Sequence, residues 1–292
     1  PLGGFAPNVN NVHFKFEWVG THYFWMIDDM SVIAQPAYDL KMLSSWLTME
    51  DPAGIEYYSI PENQMPDEMM FGGEIYNYGY NDEINVKLDG IIDGTNVMAD
   101  VTYELIETDS TRYVETDFFD ISSLTAGTYT FTNTIESNGD DANPNDNSLS
   151  REFVISENEY KIDGIWETYD YMGTGWPGGD AQSDGMRFAN YFNIKETTTL
   201  SSARIELYLE SFDTSLGSFE TEAGGEIIFY LCDTTGIFDP NVTTLDMDFG
   251  GVLWESDFLM IEEYMIDDGF ASVEIPDITL EPNAYYLVVE LY

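Results

Sequence analysis

Short runs in which apolar and polar residues alternate cover most of this chain. In an early run Val12, Phe14 and Phe16 alternate with polar side chains, which is the period of a half-buried strand. Across residues 73–156, about seven similar runs are separated by turn residues roughly every 8–12 positions, the pattern of a Greek-key sandwich. Beyond residue 160, runs of about four to nine apolar or alternating residues predict further strands. The predicted fold class is therefore all-β, with tandem antiparallel β-sandwiches.

The pattern divides the chain into three predicted modules. Residues 1–35 hold too few strands to fold alone, and we interpret them as the terminal strands of a truncated jelly-roll-like domain. Residues 36–157 are predicted to form an Ig-like sandwich and residues 158–292 a second, jelly-roll-like sandwich. The chain begins without Met and stops inside the apolar run YYLVVELY, so we expect it to be a fragment of a longer protein.

One segment is open to two interpretations. The run DLKMLSSWL at residues 39–47 could form a helical turn. However, Pro36 and Pro52 flank it and no 3.6-residue period is sustained, so a strand is favoured.

The charge balance narrows the partners and the surroundings. The chain has 55 Asp and Glu against 9 Lys and Arg, a formal net charge of −46, although 43% of its residues are hydrophobic. Such a surface repels nucleic acid and anionic lipid, so no nucleic-acid partner is expected. No apolar run has the roughly 18 residues that would predict membrane insertion. Salt and divalent ions lower the self-repulsion, so we expect an extracellular or outer-cell-surface location.

Residues with catalytic potential are scarce. Cys232 is the only cysteine and lies in the apolar run IIFYLC, while His13 and His22 are the only histidines, which leaves little for disulfide, zinc or imidazole chemistry. The sequence has no Gly-x-Ser-x-Gly, His-Glu-x-x-His or phosphate-binding motif. Acidic residues are so frequent that pairs of them are no evidence for a glycosidase. We therefore predict no enzymatic activity in this chain.

The Asp/Asn-rich loop near residue 140 is the first candidate metal site. Hard oxygen ligands at high density suit Ca²⁺, and the predicted ligands in this loop are Asp140, Asp141, Asn143, Asn145 and Asn147. An EF-hand is rejected, because Asp146 stands where that loop requires glycine and predicted strands flank it. The alternative is a polar turn in which Asn and Asp bond to their own backbone.

A Gly-rich segment beyond residue 160 is the candidate ligand-binding site. Aromatic rings with carboxylates nearby are typical of glycan-binding grooves, and the predicted glycan-contacting residues are Trp166, Tyr169, Tyr171 and Trp176. The alternative is that these aromatic side chains pack in a core or at a domain junction.

The N-terminal segment resembles a known jelly-roll strand. An aromatic-Trp-x-Ile-Asp-Asp-x-x-Val pattern is formed by Phe24, Trp25, Ile27, Asp28, Asp29 and Val32. It resembles the closing strand of concanavalin-like (MAM-like) jelly-roll domains in large secreted proteins of the Bacteroidota. The resemblance implies that Asp28 and Asp29 help to bind Ca²⁺. The alternative is a strand end blunted by charge.

The middle segment, about residues 37–157, is similar to the CARDB-like, adhesion-associated Ig-like modules of bacterial surface proteins. Three short motifs carry this resemblance, together with the Asp-rich loop before the last strand. They are Asn77-x-Gly79, a Leu-x-x-Gly-x-Tyr step at Leu124, Gly127 and Tyr129, and a Tyr-x-x-Ile-Pro-x-x-Gln piece at Tyr57 or Tyr58, Ile60, Pro61 and Gln64.

These resemblances lead to three functional expectations. The favoured one is a non-catalytic spacer or adhesion module of a large secreted or cell-surface protein of the type IX secretion cargo type. Its expected partners are cell-surface proteins, secretion-system proteins or glycans, and its expected cofactor is Ca²⁺, if any. One alternative is a set of accessory domains of a secreted hydrolase, acting on peptides or polysaccharides. The other alternative is a carbohydrate-binding module around Trp166 and Trp176.

Overall fold

The computed structural model describes residues 34–48, 56–162, 185–207, 212–214, 217–219, 221, 223–235 and 251–292. Strands dominate the described residues, so the prediction of an all-β chain is confirmed. In this part of the chain no helix is long and apolar enough to span a membrane.

The first sandwich consists of nine strands in two sheets. The strands are β1 (Leu40–Thr48), β2 (Ser59–Pro61), β3 (Glu68–Asn77), β4 (Glu83–Ile92), β5 (Met98–Ile106), β6 (Thr111–Glu115), β7 (Phe119–Asp120), β8 (Gly127–Glu136) and β9 (Ser148–Ser156). One sheet has the order β1-β3-β6, with β7 also paired to β3, and the other has the order β2-β9-β8-β4-β5. The short strand β2 pairs with β9 in parallel. The run at residues 39–47 is therefore a strand, as predicted.

The core of this sandwich lies between the two sheets. Alternate residues of β1, β3 and β6 face alternate residues of β4, β5 and β8, and the buried members are Leu40, Met42, Ile75, Val86, Leu88, Ile106, Val114 and Ile135. The alternation predicted from sequence is thus the alternation between core and solvent.

The second sandwich is formed by the C-terminal part of the chain. Its strands are β10 (Met186–Ile194), β11 (Thr198–Glu206), β12 (Phe212–Thr214), β13 (Gly217–Phe219), β14 (Glu226–Asp233), β15 (Val252–Glu255), β16 (Leu259–Met260), β17 (Phe270–Leu280) and β18 (Asn283–Leu291). One sheet has the order β10-β18-β14-β15 with β16 beside β14, β11 pairs with β17, and β12 pairs with β13. Every strand pair whose register is described in this part is antiparallel.

The pair β11–β17 and the sheet containing β14 enclose a second core. The buried side chains of this core are Ala203, Ile227, Phe229, Ile261, Met265, Ala271, Ile275 and Val289. The register of β11–β17 shifts between Leu200 and Ser202, opposite the stretch that contains Pro276. Proline cannot donate to the ladder, so a bulge at this point is expected.

One helix was not predicted from the sequence. The helix α1 (Glu263–Asp268) carries Met265 into the core and ends at Gly269, which has φ 81°. Six residues are too few for a helical period to show in the sequence, whereas a left-handed glycine after the last turn is a common helix stop.

The chain divides into two compact units. The first contains the described residues up to Trp46 with Met70–Asp117 and Thr132–Ser150, and the second contains the described parts of Leu47–Met69, Phe118–Phe131 and Arg151–Tyr292. The module boundaries at 35/36 and 157/158, and the jelly-roll topology of the last module, stay predictions.

Candidate functional site

The Asp/Asn-rich loop joins β8 to β9, and Asp141 organises it. One carboxylate oxygen of Asp141, Oδ2, accepts hydrogen bonds from the Leu40 backbone N–H at 2.9 Å and from Asn147 Nδ2 at 3.1 Å. The other oxygen accepts the Asn143 backbone N–H at 2.8 Å. The Asn143 side chain in turn donates to Asp146 Oδ2 at 2.8 Å. The loop is thus held by its own side chains and tied to the start of β1.

Two acids from distant parts of the chain lie close to this loop. The backbone N–H of Asp39 donates to the Glu83 carboxylate, and Asp39 immediately precedes the residue that bonds to Asp141. Burial raises the pKa of Asp39, and the charges of Asp141 and Asp146 raise it further, while Lys41 lowers it. We refer to Asp39, Glu83, Asp141, Asp146 and Asn147 as the acidic cluster.

The pKa of Glu83 responds to the same surroundings. Burial raises it, a hydrogen bond from Ser137 at 2.6 Å lowers it, and the nearby charges of Asp141 and Asp39 raise it. Glu83 is only 1% exposed. Negative charge in the acidic cluster is therefore concentrated where water is largely excluded, which is electrostatically unfavourable unless a cation compensates.

The structure separates the five ligands predicted in the loop. Asp141, Asn143 and Asn147 are joined by hydrogen bonds, whereas Asp140 and Asn145 are exposed. Among the described residues, no group of three or more His, Cys, Asp or Glu side chains is arranged to hold a metal ion. The other predicted site residues lie outside the described residues, and they are Asp28, Asp29, Trp166, Tyr169, Tyr171 and Trp176.

A second notable arrangement lies in the second compact unit, where residues 57–64, here called the clamp segment, hold the turn between β10 and β11. The side chain of Gln64, which is 0% exposed, makes all of its hydrogen bonds to this turn. Its Oε1 accepts the backbone N–H groups of Lys195 at 2.8 Å and Glu196 at 3.1 Å, and its Nε2 donates to the Glu196 carbonyl at 2.9 Å. A buried amide satisfied in this way is specific, because no other side chain matches both its donor and its acceptors.

An aromatic cluster continues the clamp. The ring of Tyr57 lies 5.2 Å from that of Tyr160 and 6.1 Å from that of Phe192, and the last two rings are 5.6 Å apart. The Tyr57 hydroxyl accepts the Asn193 backbone N–H at 3.1 Å, and the Tyr160 hydroxyl donates to the Asn193 carbonyl at 2.9 Å. Two tyrosines thus bond both backbone groups of one residue in β10.

The chain after β9 is fixed to the same region. Ser59 and Lys161 exchange two backbone hydrogen bonds, of 3.0 and 2.9 Å. Ion pairs then join Lys161 to Glu206 and Glu159 to Arg204, both on β11. Such pairs are worth little singly at the surface, but here they add to a buried hydrogen-bond set.

Two of the short motifs noted in the sequence have a local structural explanation. Asn77, fully buried, donates to the carbonyls of Asn81 and Ile106 and accepts the Gly79 backbone N–H at 2.9 Å, so it closes the turn after β3. The Tyr129 hydroxyl donates to the Thr125 carbonyl at 2.9 Å and accepts the backbone N–H of the same residue at 3.2 Å. This is the arrangement of a tyrosine corner.

Comparison with known proteins gives structural neighbours only. No protein-family model and no curated protein matches the chain. The crystal structure of the CARDB domain of the PF1109 protein from Pyrococcus furiosus, in complex with di-metal ions, is similar with 12% identity and a TM-score of 0.30, covering 43% of this chain and 98% of that one. The solution NMR structure of the same domain is similar with 13% identity and a TM-score of 0.28, covering 42% and 99%. These neighbours are of the type that residues 37–157 resemble.

Sequence reasoning missed the acids outside the loop. Asp39 and Glu83 belong to separate segments, and no local signal places either one beside Asp141. Asp146 was noted only as a departure from the EF-hand pattern. The clamp was partly visible, because Tyr57, Ile60, Pro61 and Gln64 belong to a recognisable motif, but the turn that Gln64 holds was not.

Proposed function

We propose that this chain is a non-catalytic spacer or adhesion module, a stretch of β-sandwiches that holds other parts of a large secreted or cell-surface protein at a defined separation. The observation that carries the proposal is the clamp. A flexible linker needs no buried contacts, whereas Gln64 and Tyr57 fix the β10–β11 turn with buried hydrogen bonds.

The acidic surface supports the same function. A net charge of −46 makes sheet edges on neighbouring molecules repel each other, which limits edge-to-edge aggregation of a string of sandwiches. The finer proposal follows from the sequence resemblances: the parent protein is a surface or secreted protein of the Bacteroidota, exported by the type IX secretion system. Its partners would be other surface proteins, secretion-system proteins or glycans.

Native-state hydrogen exchange at increasing denaturant tests the rigidity that a spacer needs. We expect the backbone amides of the clamp segment and those of β10 and β11 to open with one common free energy, because the clamp couples them. In Gln64→Ala this common value should fall by about 2–4 kcal/mol, the combined cost of the lost buried hydrogen bonds. The exposed neighbour Asn63→Ala is the matched control and should change little. Opening of the clamp segment in the wild type at a much lower free energy than β10 would contradict the proposal.

A further inference from the structure

The acidic cluster contains buried oxygen atoms that no hydrogen bond satisfies. Within the described residues, Glu83 Oε1, Asp146 Oδ1 and Asn147 Oδ1 are all buried and have no hydrogen-bond partner. Glu83 is 1% exposed and Asn147 is 7% exposed. An unsatisfied buried acceptor is costly, and three of them in one cluster require an explanation.

The hydrogen bonds of the cluster orient these free oxygens. In Glu83, Asp146 and Asn147 the second polar atom of the side chain is already engaged, by Ser137, Asn143 and Asp141 respectively. Each side chain is therefore fixed through one atom and leaves one oxygen without a donor. Leu40 N–H and Asn147 Nδ2 both go to Asp141, so the donors near the cluster are used elsewhere.

The charge of the cluster is also uncompensated. Four of its members are carboxylic acids, and Lys41 is the cation whose charge acts on Asp39. The Lys41 side chain is itself exposed, where water and salt screen its charge. A bound cation would satisfy the three oxygens and the charge together.

We propose that the acidic cluster binds one Ca²⁺, with Asp146 Oδ1, Asn147 Oδ1 and the carboxylates of Asp39 and Glu83 as protein ligands. Ca²⁺ takes six to eight oxygen ligands in flexible geometry, including amide oxygens and water, whereas Mg²⁺ demands a near-ideal octahedron. Because the carboxylates do not yet surround one point, binding would draw them inward and fix the β8–β9 loop against the start of β1.

Calorimetric titration of the whole, EDTA-treated chain with CaCl₂ at constant ionic strength tests this proposal. We expect saturable binding with one Ca²⁺ per chain at this cluster and a rise in melting temperature of about 5 °C or more at saturation. MgCl₂ at the same concentration should give a much smaller rise, which separates a site from general screening of the negative surface. Any saturable binding that Asp39→Asn and Asp146→Asn leave unchanged would be assigned to another part of the chain and would contradict the proposal.

Charge-matched variants decide which residues bind the ion. Asp146→Asn and Asp39→Asn should lose at least tenfold in Ca²⁺ affinity, while their melting temperatures without Ca²⁺ stay equal or rise because a repelling charge is gone. Asp140→Asn, an exposed loop residue, is the control and should bind as the wild type does. A cluster with a purely structural role would instead show lower melting temperatures without Ca²⁺ in both variants. That outcome, or the absence of saturable Ca²⁺ binding in the wild type, would overturn the proposal.

Discussion

The hydroxyl oxygen of Tyr57 accepts a hydrogen bond from the backbone N–H of Asn193 over 3.1 Å, although the two residues are 136 positions apart. This contact joins a short segment before β3 to the first strand of the C-terminal sheet. Tyr57→Phe keeps the aromatic packing and removes the acceptor, so we expect a loss of about 1–2 kcal/mol in stability and faster exchange of the Asn193 amide. Tyr80→Phe, at an exposed tyrosine, should leave both quantities unchanged. Equal effects of the two variants would show that this hydroxyl does not hold β10.

The close approach of β4 to β3 gives a second prediction. A Cβ atom on Gly90 would lie 2.2 Å from ring atoms of Phe71 and 2.7 Å from Asn133 Oδ1. Neither neighbour can move freely, because Phe71 is fully buried and Asn133 Nδ2 donates to Gly72 O and Ser45 Oγ. Gly90→Ala should therefore cost about 1–3 kcal/mol by overpacking, measured as a lower urea midpoint.

Gly127→Ala is the matched control for this substitution. Its Cβ would meet only the Tyr129 ring at 3.6 Å, an ordinary contact. We expect a change within about 0.5 kcal/mol. A Gly90→Ala variant as stable as Gly127→Ala would mean that the two sheets can separate locally at little cost.

Glu290 gives a prediction about pH. Burial by itself would raise the pKa of Glu290, but hydrogen bonds from Tyr230, Tyr292 and Arg187, with the Arg187 charge, outweigh it and hold the pKa below its ordinary value of 4.5. A carboxyl group whose pKa is lowered by folding stabilises the protein above the unfolded pKa. This contribution is lost as the pH falls from about 4.5 through the folded pKa.

Melting temperatures between pH 7 and pH 3 measure this contribution. The wild type should be more stable than Glu290→Gln at pH 7, and the difference should shrink as the pH falls below about 4.5. Glu274→Gln, at an exposed position, controls for the loss of one negative charge. A difference between wild type and Glu290→Gln that is constant with pH would contradict the role of these hydrogen bonds.

The strands could be predicted from the sequence because each one records its own environment. In β1 and in β18, apolar side chains at the predicted positions are the buried ones. The turns at Asn77 and Tyr129 were also visible, since each is closed by hydrogen bonds within a few residues of the chain. Local chemistry is enough for features of this kind.

Long-range contacts could not be predicted in the same way. Gln64 bonds to Glu196 across 132 positions, and the partners of Asp141 include Leu40, 101 positions away. Alternation fixes which face a residue occupies, but not which distant segment meets it. For this reason the acidic loop was found from its composition, whereas Asp39 and Glu83 emerged only from the fold.

The central claim is that the clamp makes the segment before β3 and the C-terminal sandwich one rigid body. Electron–electron distance measurement between spin labels at Thr128→Cys on β8 and Glu274→Cys on β17 tests it directly. Both positions are exposed, whereas Cys232 is fully buried, and burial raises its pKa to about 11, so the native thiol should not be labelled. The clamp predicts a narrow distance distribution in the doubly labelled chain, broadened when Tyr57→Ala and Gln64→Ala are added. A distribution that is already broad without these changes, or one that they leave unaltered, would contradict the claim.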